Sequence, residues 1–475
     1  MKTFYWYDYE TFGLSPRVQR IAQFAGIRTD ENLNVLDEHM FYCKPTHDCL
    51  PAPEACAVTG ITPQLCEQKG LIEHEFIKKI NKEFTVPQTC IVGYNSIAFD
   101  DEFTRHTLFR NFLDPYAWHW QNGNTRWDIL NVARFCYAHK EHESLEWVKN
   151  ENNRPIFKLD RLAPANSIDH TNAHDAMADV RATIGIAKII QETQPVFFNY
   201  ALSLNEKKEV SRQVKLLHPM LLTSSSFGYK CSFTRMVTAL CYHPDYPDRA
   251  IVFNLEQDPE IILELDSNEL KTLVFTKKSD LPKGVDKLEL NELIFNKSPM
   301  FVCSPKPDNF KLSPLLIEKL QVDMDKCMKN LSYIQNNQKQ IEEIVQSIYK
   351  KDSEREMSND IDQSLYDNFV SNKDRKICNH IQSLSSNEIG LLNPDFEDRR
   401  LLKLFFNFKA RNYPELLSED EQEEWFEIVQ SRVQNGENGF LSFDSFENSL
   451  DNLKTSKPEK NKLWQDLEVY AQTFL

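Results

Sequence analysis

The chain has 475 residues, of which 41% are hydrophobic and 27% are charged, and its formal net charge is −16 at pH 7. These values are typical of a globular protein with about two to four domains, and they exclude a protein that coats nucleic acid through bulk positive charge. No apolar run approaches the ~18 residues of a membrane span, and the first residues predict a strand rather than a signal peptide. Eleven cysteines without a CxxC pair predict reduced thiols and a cytoplasmic location, with neither a disulfide framework nor a structural zinc site.

The first predicted element is an aromatic-rich strand over Thr3–Glu10. Because side chains alternate between the faces of a strand, Asp8 and Glu10 point the same way, roughly 7 Å apart along the chain. Two carboxylates on one face at a strand end are suitable ligands for a pair of Mg²⁺ or Mn²⁺ ions. The alternative is a pair of exposed acids on an edge strand, although an unpartnered charge is unfavourable in so apolar a strand.

Two further strands and a helix follow the first strand. The strands are predicted over Gln23–Thr29 and Val35–Cys43, and one helix is predicted from Thr59–Pro63 to about Thr85. A β-β-β-α opening of this kind predicts a mixed sheet that is covered by helices.

The stretch from Cys90 to Arg105 predicts a short apolar strand, a polar turn and a helix that begins near Asp100. The Asp100 carboxylate is either the N-cap of this helix or a third metal ligand. Asp101 and Glu102 are equally explained as first-turn acids that the helix dipole favours. Arg105 lies about one turn further along and could reach a backbone phosphate.

A dense group of aromatic residues follows this helix. These residues either pack in the core or form a stacking platform for unpaired bases. Two cations, Arg134 and Lys158, lie in the same region of the sequence. The aromatic residues are Tyr116, Trp118, Trp120 and Trp127.

The stretch His170–Thr183 predicts a loop and the first turns of a helix. His174 and Asp179 are about 140° apart around a helix, so they converge only if His174 lies on the incoming loop. An imidazole beside a carboxylate suits a general base next to a metal, whereas the alternative is a capped surface helix. Apolar residues at i+4 steps predict the buried stripe of this helix: Ala176, Val180, Ile184 and Ala187.

Three domains are predicted, over 1–194, 195–348 and 349–475. The middle domain is β-rich, and a serine and proline pair at Ser313–Pro314 predicts the start of the helical part of the chain. The strands predicted for the middle domain are Met236–Tyr242, Arg249–Leu255, Leu288–Phe295 and Pro299–Cys303.

Near the end of the chain, Arg399–Arg411 predicts an amphipathic helix with a polar stripe beside its apolar face. The stripe is either solvated or closes a positively lined channel around one DNA strand. Such a channel would exclude duplexes. The residues of the stripe are Arg400, Lys403, Asn407 and Arg411.

Three motifs occur in order along the chain: Asp8-x-Glu10, Asn95-x-x-x-Phe99-Asp100 and His174-x-x-x-x-Asp179. Together they resemble the motifs of the DEDD exonuclease superfamily in its histidine-containing branch. The wider sequence resembles the bacterial exonuclease I family, which is specific for single-stranded DNA. The segments that carry this second resemblance include Asp8–Gly13, Gly93–Asn95, Asp114–Trp118, Arg126–Asp128, Asn172–Asp179, Leu263–Ser267 and Leu404–Pro414.

The resemblance implies an α/β protein with a ribonuclease-H-like exonuclease domain, an SH3-like β-barrel domain and an all-helical C-terminal domain. It implies 3′→5′ release of 5′-mononucleotides, with His174 activating the attacking water. It also implies two Mg²⁺ ions, which Mn²⁺ can replace. The implied metal ligands are Asp8, Glu10, Asp100 and Asp179.

The same resemblance implies the contacts to single-stranded DNA and the biological setting. The family pattern has arginine where this chain has Lys158, which keeps the charge but loses bidentate geometry. A further implied partner is single-stranded-DNA-binding protein, through its acidic C-terminal tail. We expect a monomer that acts in DNA repair and recombination. The implied DNA contacts are Glu10, Arg105, Tyr116, Trp120, Arg134 and Lys158.

Two other functions are compatible with parts of this pattern. A 3′→5′ exoribonuclease of the same superfamily would share the site, but simple RNA-trimming enzymes lack the long region after the nuclease domain. A catalytically silent nucleic-acid-binding scaffold is the other alternative. An intact set of acids together with His174 argues against it, because a silent site has no reason to keep a costly carboxylate cluster.

Overall fold

The computed structural model describes residues 2–140, 144–170, 175–303, 314–351 and 357–475. The chain forms two compact units. The first consists of Met1–Thr125, His170–Arg181 and Glu354–Leu475, and the second of Arg126–Asp169 and Ala182–Ser353. None of the described helices combines the length and the apolar character needed to cross a membrane.

In the described residues up to Thr193, strands and α-helices follow one another in the order β-β-β-α-α-α-β-α-β-α-α-α. The strands are β1 (Thr3–Thr11), β2 (Ile21–Thr29), β3 (Val35–Tyr42), β4 (Thr89–Gly93) and β5 (Thr125–Asp128). The helices are α1 (Pro53–Thr59), α2 (Pro63–Lys69), α3 (Glu73–Phe84), α4 (Asp100–Arg110), α5 (Ile129–Lys140), α6 (Leu159–Ala165) and α7 (Ala176–Thr193).

The middle of the chain mixes short strands with helices. Its strands are β6 (Pro219–Thr223), β7 (Thr234–Tyr242), β8 (Arg249–Asn254), β9 (Leu290–Ile294) and β10 (Met300–Cys303). Its helices are α8 (Pro195–Ser203), α9 (Lys207–Gln213), α10 (Ile261–Glu264), α11 (Ser267–Phe275), α12 (Pro314–Leu320), α13 (Met324–Asn336) and α14 (Gln338–Tyr349).

The regular secondary structure of residues 357–475 consists of helices, as the sequence predicted. A short 3₁₀ helix, Ile361–Tyr366, precedes the α-helices. The α-helices are α15 (Asn372–Ile381), α16 (Ser386–Leu391), α17 (Arg399–Asn412), α18 (Glu419–Asn435), α19 (Phe443–Ser456) and α20 (Asn461–Ala471).

The sheet of the first unit has the strand order β3-β2-β1-β4. The pairs β1–β2 and β2–β3 are antiparallel and β1–β4 is parallel, which confirms the predicted mixed sheet. Alternation along β1 places Tyr5, Tyr7 and Tyr9 on the face that packs with the helical residues of the core. The opposite face therefore carries Asp8 and Glu10.

The single helix predicted up to about Thr85 is wrong, because the chain leaves the helical path between α2 and α3. At Gly70 a Cβ atom would lie 2.4 Å from the carbonyl oxygen of Cys66. The following residue, Leu71, instead donates its backbone N–H to Tyr42 and accepts from Lys44. These two bonds tie the connection to the end of β3.

The C-terminal helices share hydrophobic cores with the N-terminal part of the first unit. Phe446, Trp464 and Leu467 pack with Leu50 and Cys56 near α1. A second shared core joins the end of α4 to α17: it contains Phe109, Phe112, Phe405 and Phe408. The helical C-terminal segment is therefore part of the body that carries β1.

A buried ionic network joins the same two parts of the first unit. Asp48 accepts from Arg20 at 2.6 Å and from Arg432 at 2.7 Å. Asp362 accepts from Arg411 and Arg432, each at 2.7 Å, and all five side chains are at most 2% exposed. Further members of the network are Glu73, Arg110 and Asp360.

The network shows that both interpretations of the polar stripe on α17 are wrong for two of its four residues. Arg411 is an ion-pair partner of the core, and Asn407 is 3% exposed and donates to Asp362. They are therefore neither solvated nor positioned to line a channel. Arg400 pairs with Asp398 at 2.6 Å, whereas Lys403 is exposed.

The second unit contains an antiparallel sheet with the order β10-β6-β7-β8-β9. The four strands predicted for this region are present, and β6 is an additional strand that the sequence analysis missed. One face packs against helices: Leu240 and Phe253 of the sheet share a core with Leu270, Leu331 and Ile341. The middle region therefore contains the predicted sheet, but its described residues include more helix than strand, so it is less β-rich than predicted.

Candidate active site

The first two acidic residues of the site lie at the end of β1. Glu10 pairs with Gln23 of β2, and the register shifts immediately after Glu10 through a β-bulge or similar irregularity. Irregularities of this kind re-aim side chains at the edges of sheets. Ligand oxygens of Asp8, Glu10 and Asp179 all lie within 4.8 Å of one another.

The third carboxylate, Asp179, reaches this group because the start of α7 is fixed to β2. The Gln23 side-chain oxygen accepts from the backbone N–H of Ala176 at 3.4 Å. Asp175 caps the helix by accepting from the Ala178 N–H at 3.1 Å. Asp179 therefore lies in the first turn of α7, beside Glu10.

Asp100 is the first residue of α4 and is 4% exposed. The preceding turn is tight: Asn95 has a φ of 67°, and a Cβ on Gly93 would lie 2.5 Å from the Ser96 Cβ. The next residue, Asp101, accepts a 2.6 Å hydrogen bond from the Tyr7 hydroxyl. The turn and this bond fix the N-terminus of α4 against the sheet.

Burial and the neighbouring carboxylates raise the pKa values of Asp8 and Glu10. Burial is the largest cause of a Glu10 pKa of about 9, followed by the charges of Asp179, Asp100 and Asp175. Burial also raises the pKa of Asp8, followed by the charge of Asp100. Asp100 therefore acts on the site, although it is not in the group whose ligand atoms lie within 4.8 Å.

This donor set fits divalent cations. Hard cations such as Mg²⁺ bind carboxylate oxygens, and bound positive charge would remove the repulsion that raises these pKa values. Asp175 is a contributor to the negative field that the sequence analysis did not identify. The position of Asp175 immediately before α7 is typical of a helix cap, but the sequence does not predict how close Asp175 lies to β1.

A histidine contacts Asp179, but it is not the one that the sequence analysis selected. His170 Nε2 forms a hydrogen bond with Asp179 Oδ1, and the His170 side chain is 1% exposed. The predicted general base, His174, lies outside the described residues. His170 belongs to the same sequence stretch, but its nine-residue separation from Asp179 matches no helical spacing.

Of the predicted DNA contacts in the first unit, Trp120 is the most accessible, with 61% of its surface exposed. Tyr116 is half-buried, and the Arg105 guanidinium carbon lies 5.7 Å from the centre of its ring. Arg105 is 7% exposed and bonds Glu102 at 2.6 Å. Trp118 is fully buried, so the aromatic group combines core packing with accessible rings.

The two remaining predicted DNA contacts lie in the second unit. Arg134 is half-buried on α5, where it donates to Asn131 at 3.0 Å and lies 5.9 Å from the centre of the Phe157 ring. Lys158 is exposed at the N-cap of α6. Phe157, whose ring lies near Arg134, directly precedes Lys158 in the chain.

One further group of possible ligands occurs among the described residues: Asp37, His39 and Glu83. Glu83 already accepts from Arg28 at 3.0 Å, and Asp37 is 55% exposed. A cation would compete with that arginine for Glu83. The group is therefore an ion-pair cluster.

Models of known families match three consecutive parts of the chain. These are Exonuclease over residues 5–187, Exonuclease I SH3-like domain over residues 205–351 and Exonuclease I C-terminal domain over residues 359–474. The chain is 38% identical over 473 residues to exodeoxyribonuclease I of Haemophilus influenzae, covering 99% of this chain and 98% of that protein. The chain belongs to the exodeoxyribonuclease I family. It is also 40% identical over 428 residues to exodeoxyribonuclease I of Escherichia coli, covering 90% of this chain and 88% of that protein.

Solved structures of exonuclease I have the same fold. Escherichia coli exonuclease I in complex with a dA16 oligonucleotide matches with a TM-score of 0.93 and 36% identity over the whole of both chains. Exonuclease I from Methylocaldum szegediense matches with a TM-score of 0.92 and the same identity and coverage. The predicted fold class is confirmed: a ribonuclease-H-like exonuclease domain, an SH3-like domain and a helical C-terminal domain.

Proposed function

We propose that this member of the exodeoxyribonuclease I family degrades single-stranded DNA in the 3′→5′ direction and releases 5′-mononucleotides. The observation that carries the proposal is the convergence of Asp8, Glu10 and Asp179 within 4.8 Å, in a chain related to that family over 99% of its length. The related Escherichia coli protein was solved with a dA16 oligonucleotide, which supports the class of substrate.

The proposed cofactor is a pair of Mg²⁺ ions, which Mn²⁺ can replace. A zinc-bound form of Escherichia coli exonuclease I with single-stranded DNA supports a divalent metal in this family. When bound, the pair would lower the pKa of water and neutralise the leaving oxygen. The residues proposed to hold it are Asp8, Glu10, Asp100 and Asp179.

The proposed general base is His174, because a neutral imidazole can take the proton of the attacking water. His170 has a different proposed task, because its imidazole is bonded to Asp179. There it orients the Asp179 carboxylate, as a second partner commonly does for a metal ligand.

The proposed contacts to DNA are aromatic rings and charged side chains. Exposed aromatic rings stack on bases, and cations contact the phosphates. Lys158 is exposed, which suits a phosphate contact. Glu10 is the proposed contact to the terminal nucleotide. The other proposed contacts are Arg105, Tyr116, Trp120 and Arg134.

The proposed partner is single-stranded-DNA-binding protein, through its acidic tail. A crystal structure that pairs exonuclease I with SSB supports this assignment. We further propose a monomer that acts in repair and recombination in the cytoplasm, where its eleven thiols, all in the described part of the chain, would stay reduced. The proposed domains are 1–194, 195–348 and 349–475.

The proposed function predicts which end of a DNA strand is degraded. With Mg²⁺, a 3′-labelled single strand should lose its label at once as mononucleotide, whereas a 5′ label should remain on shortening fragments. EDTA should prevent both the release of the 3′ label and the shortening of the 5′-labelled strand, and a blunt duplex should resist degradation. The measurement is a time course on denaturing gels, with the same RNA sequence as a second substrate.

His174→Ala in the same assay tests the proposed base. It should lose most turnover while DNA binding and stabilisation by Mg²⁺ are retained. Normal hydrolysis by this variant would refute the role of His174. Cleavage of RNA alone would replace the proposed substrate, and binding of DNA without cleavage would favour the scaffold.

Trp120→Ala should weaken binding of single-stranded DNA by about 1–3 kcal/mol, because an exposed ring that stacks on one base contributes that amount. Turnover at saturating DNA should change little. The measurement is the Kd by fluorescence anisotropy in EDTA. Phe426→Ala is the matched control, since Phe426 is also exposed, at 58%, but lies on α18. Equal Kd values for wild type and Trp120→Ala would exclude stacking at this position.

A further inference from the structure

A residue of the C-terminal segment contacts the ion pair that contains Arg105. The Tyr366 hydroxyl donates to Glu102 Oε2 at 2.5 Å, and Arg105 Nη1 donates to Glu102 Oε1 at 2.6 Å. The Glu102 carboxylate is thus shared, with one oxygen for each partner. Its side chain is 25% exposed, whereas that of Arg105 is 9% exposed.

The same tyrosine also lies beside Tyr116, one of the proposed aromatic contacts to DNA. The centres of the Tyr366 and Tyr116 rings are 6.5 Å apart, and Arg105 lies over Tyr116 at 5.7 Å. Arg105 Nη2 additionally lies 3.4 Å from His119 Nε2. Tyr366 therefore contacts the surroundings of two proposed DNA contacts while belonging to another part of the chain.

The position of Tyr366 is set by the buried ionic network. Tyr366 is the last residue of the 3₁₀ helix Ile361–Tyr366, and Asp362 in that helix pairs with Arg411 and Arg432. These ion pairs have exposures of 0–2%. A short helix held in this way presents the Tyr366 hydroxyl from a fixed backbone position.

We propose that Tyr366 is a positioning residue for DNA binding: by holding one oxygen of Glu102, it keeps the Arg105 guanidinium oriented for a DNA phosphate. The inference rests on the proposed function. In the structure Arg105 meets Glu102 through one oxygen, Oε1, rather than as a bidentate pair. The Tyr366 hydroxyl holds the other oxygen, Oε2, and so fixes the direction in which the carboxylate presents Oε1 to the guanidinium. The C-terminal domain thereby contributes to a contact whose arginine belongs to the nuclease domain.

Tyr366→Phe tests this inference because it removes the hydroxyl and keeps the ring. The variant should raise both the Kd and the KM for single-stranded DNA by about tenfold, the effect of weakening one charge-assisted hydrogen bond between Arg105 and a DNA phosphate. Its kcat should stay within about twofold of wild type. Anisotropy in EDTA gives the Kd, and mononucleotide release with Mg²⁺ gives KM and kcat.

Two comparisons separate positioning from a general structural effect. In an Arg105→Ala background, Tyr366→Phe should raise the Kd and the KM by less than about twofold further, because the residue through which Tyr366 acts is gone. Tyr413→Phe, which removes a hydroxyl bonded to His74 at 2.8 Å, should leave Kd and KM unchanged. The inference would be overturned by an unchanged Kd for Tyr366→Phe, or by an equal increase in Kd in the presence and absence of the Arg105 side chain. A wild-type chain that neither binds nor degrades single-stranded DNA would instead overturn the proposed function, and the inference with it.

Discussion

Asp179→Asn should lower the turnover of single-stranded DNA by at least about 10³-fold while the protein remains folded. The substitution keeps the shape of the side chain and removes one charge from the group formed with Asp8 and Glu10. Metal-assisted stabilisation of a transition state amounts to several kcal/mol, and ~4 kcal/mol corresponds to about 10³ in rate. The measurement is mononucleotide release under single-turnover conditions with saturating Mg²⁺.

Thermal unfolding separates loss of metal binding from loss of structure. In wild type, Mg²⁺ should raise the melting temperature, because a cation that binds only the folded state stabilises it. In Asp179→Asn this increase should largely disappear. In EDTA, however, the variant should be at least as stable as wild type, because one of the charges that raise the pKa values of Asp8 and Glu10 is gone.

Asp175→Asn is the matched control. It removes a charge from the same field, and asparagine can still cap α7 as Asp175 does. Its turnover should fall by less than about tenfold, since capping does not require the charge. If Asp175→Asn were as inactive as Asp179→Asn, the total negative charge would be the important quantity, and the assignment of Asp179 as a ligand would be wrong.

Strand alternation predicted one part of the site well. Asp8 and Glu10 are two residues apart in β1, so local geometry alone puts them on one face, and the structure brings their oxygens together. The approach of Asp179 depends on Gln23, which bonds the start of α7 more than 150 residues away in sequence. No periodicity encodes such a contact, so only the family resemblance predicted it.

The polar stripe of α17 shows the limit of helical periodicity. Periodicity correctly placed Asn407 and Arg411 on one face of the helix, but it does not say what that face meets. The partner of Arg411 is Asp362, 49 residues earlier, and Asp362 also binds Arg432. An arginine with buried acidic partners has the same local sequence signature as one in water, so the network was not predictable from sequence.

Asp362→Asn should destabilise the full chain by about 3–5 kcal/mol, the usual effect of breaking a buried ion pair while its partner charges remain. Asp362 accepts from Arg411 and Arg432 at 2.7 Å and from Asn407 at 3.3 Å. Asparagine cannot neutralise the two guanidinium groups, which are 0% and 2% exposed. The measurement is urea-induced unfolding followed by circular dichroism and tryptophan fluorescence.

Asp395→Asn is the control for this variant. Asp395 also pairs with a cation, Lys373, at 3.0 Å, but it is 92% exposed. Exposed pairs contribute at most about 1 kcal/mol, so this variant should unfold close to wild type. Equal effects of the two substitutions would mean that burial does not set the strength of the network.

The pH dependence of the Asp362→Asn effect gives an independent check. The Arg411 and Arg432 charges outweigh burial and hold the pKa of Asp362 far below its ordinary value of 3.8, and Arg20 and Arg432 do the same for Asp48. An acid with a lowered pKa in the folded state contributes stability above its unfolded pKa, and this contribution is lost as the pH falls below that value. The difference between wild type and Asp362→Asn should therefore be full at pH 7 and shrink below about pH 4. A destabilisation that did not vary with pH would show that lost packing, rather than lost charge, weakens the variant.

Because the same network holds the helix that carries Tyr366, Asp362→Asn should also raise the KM for single-stranded DNA at temperatures where the variant is still folded.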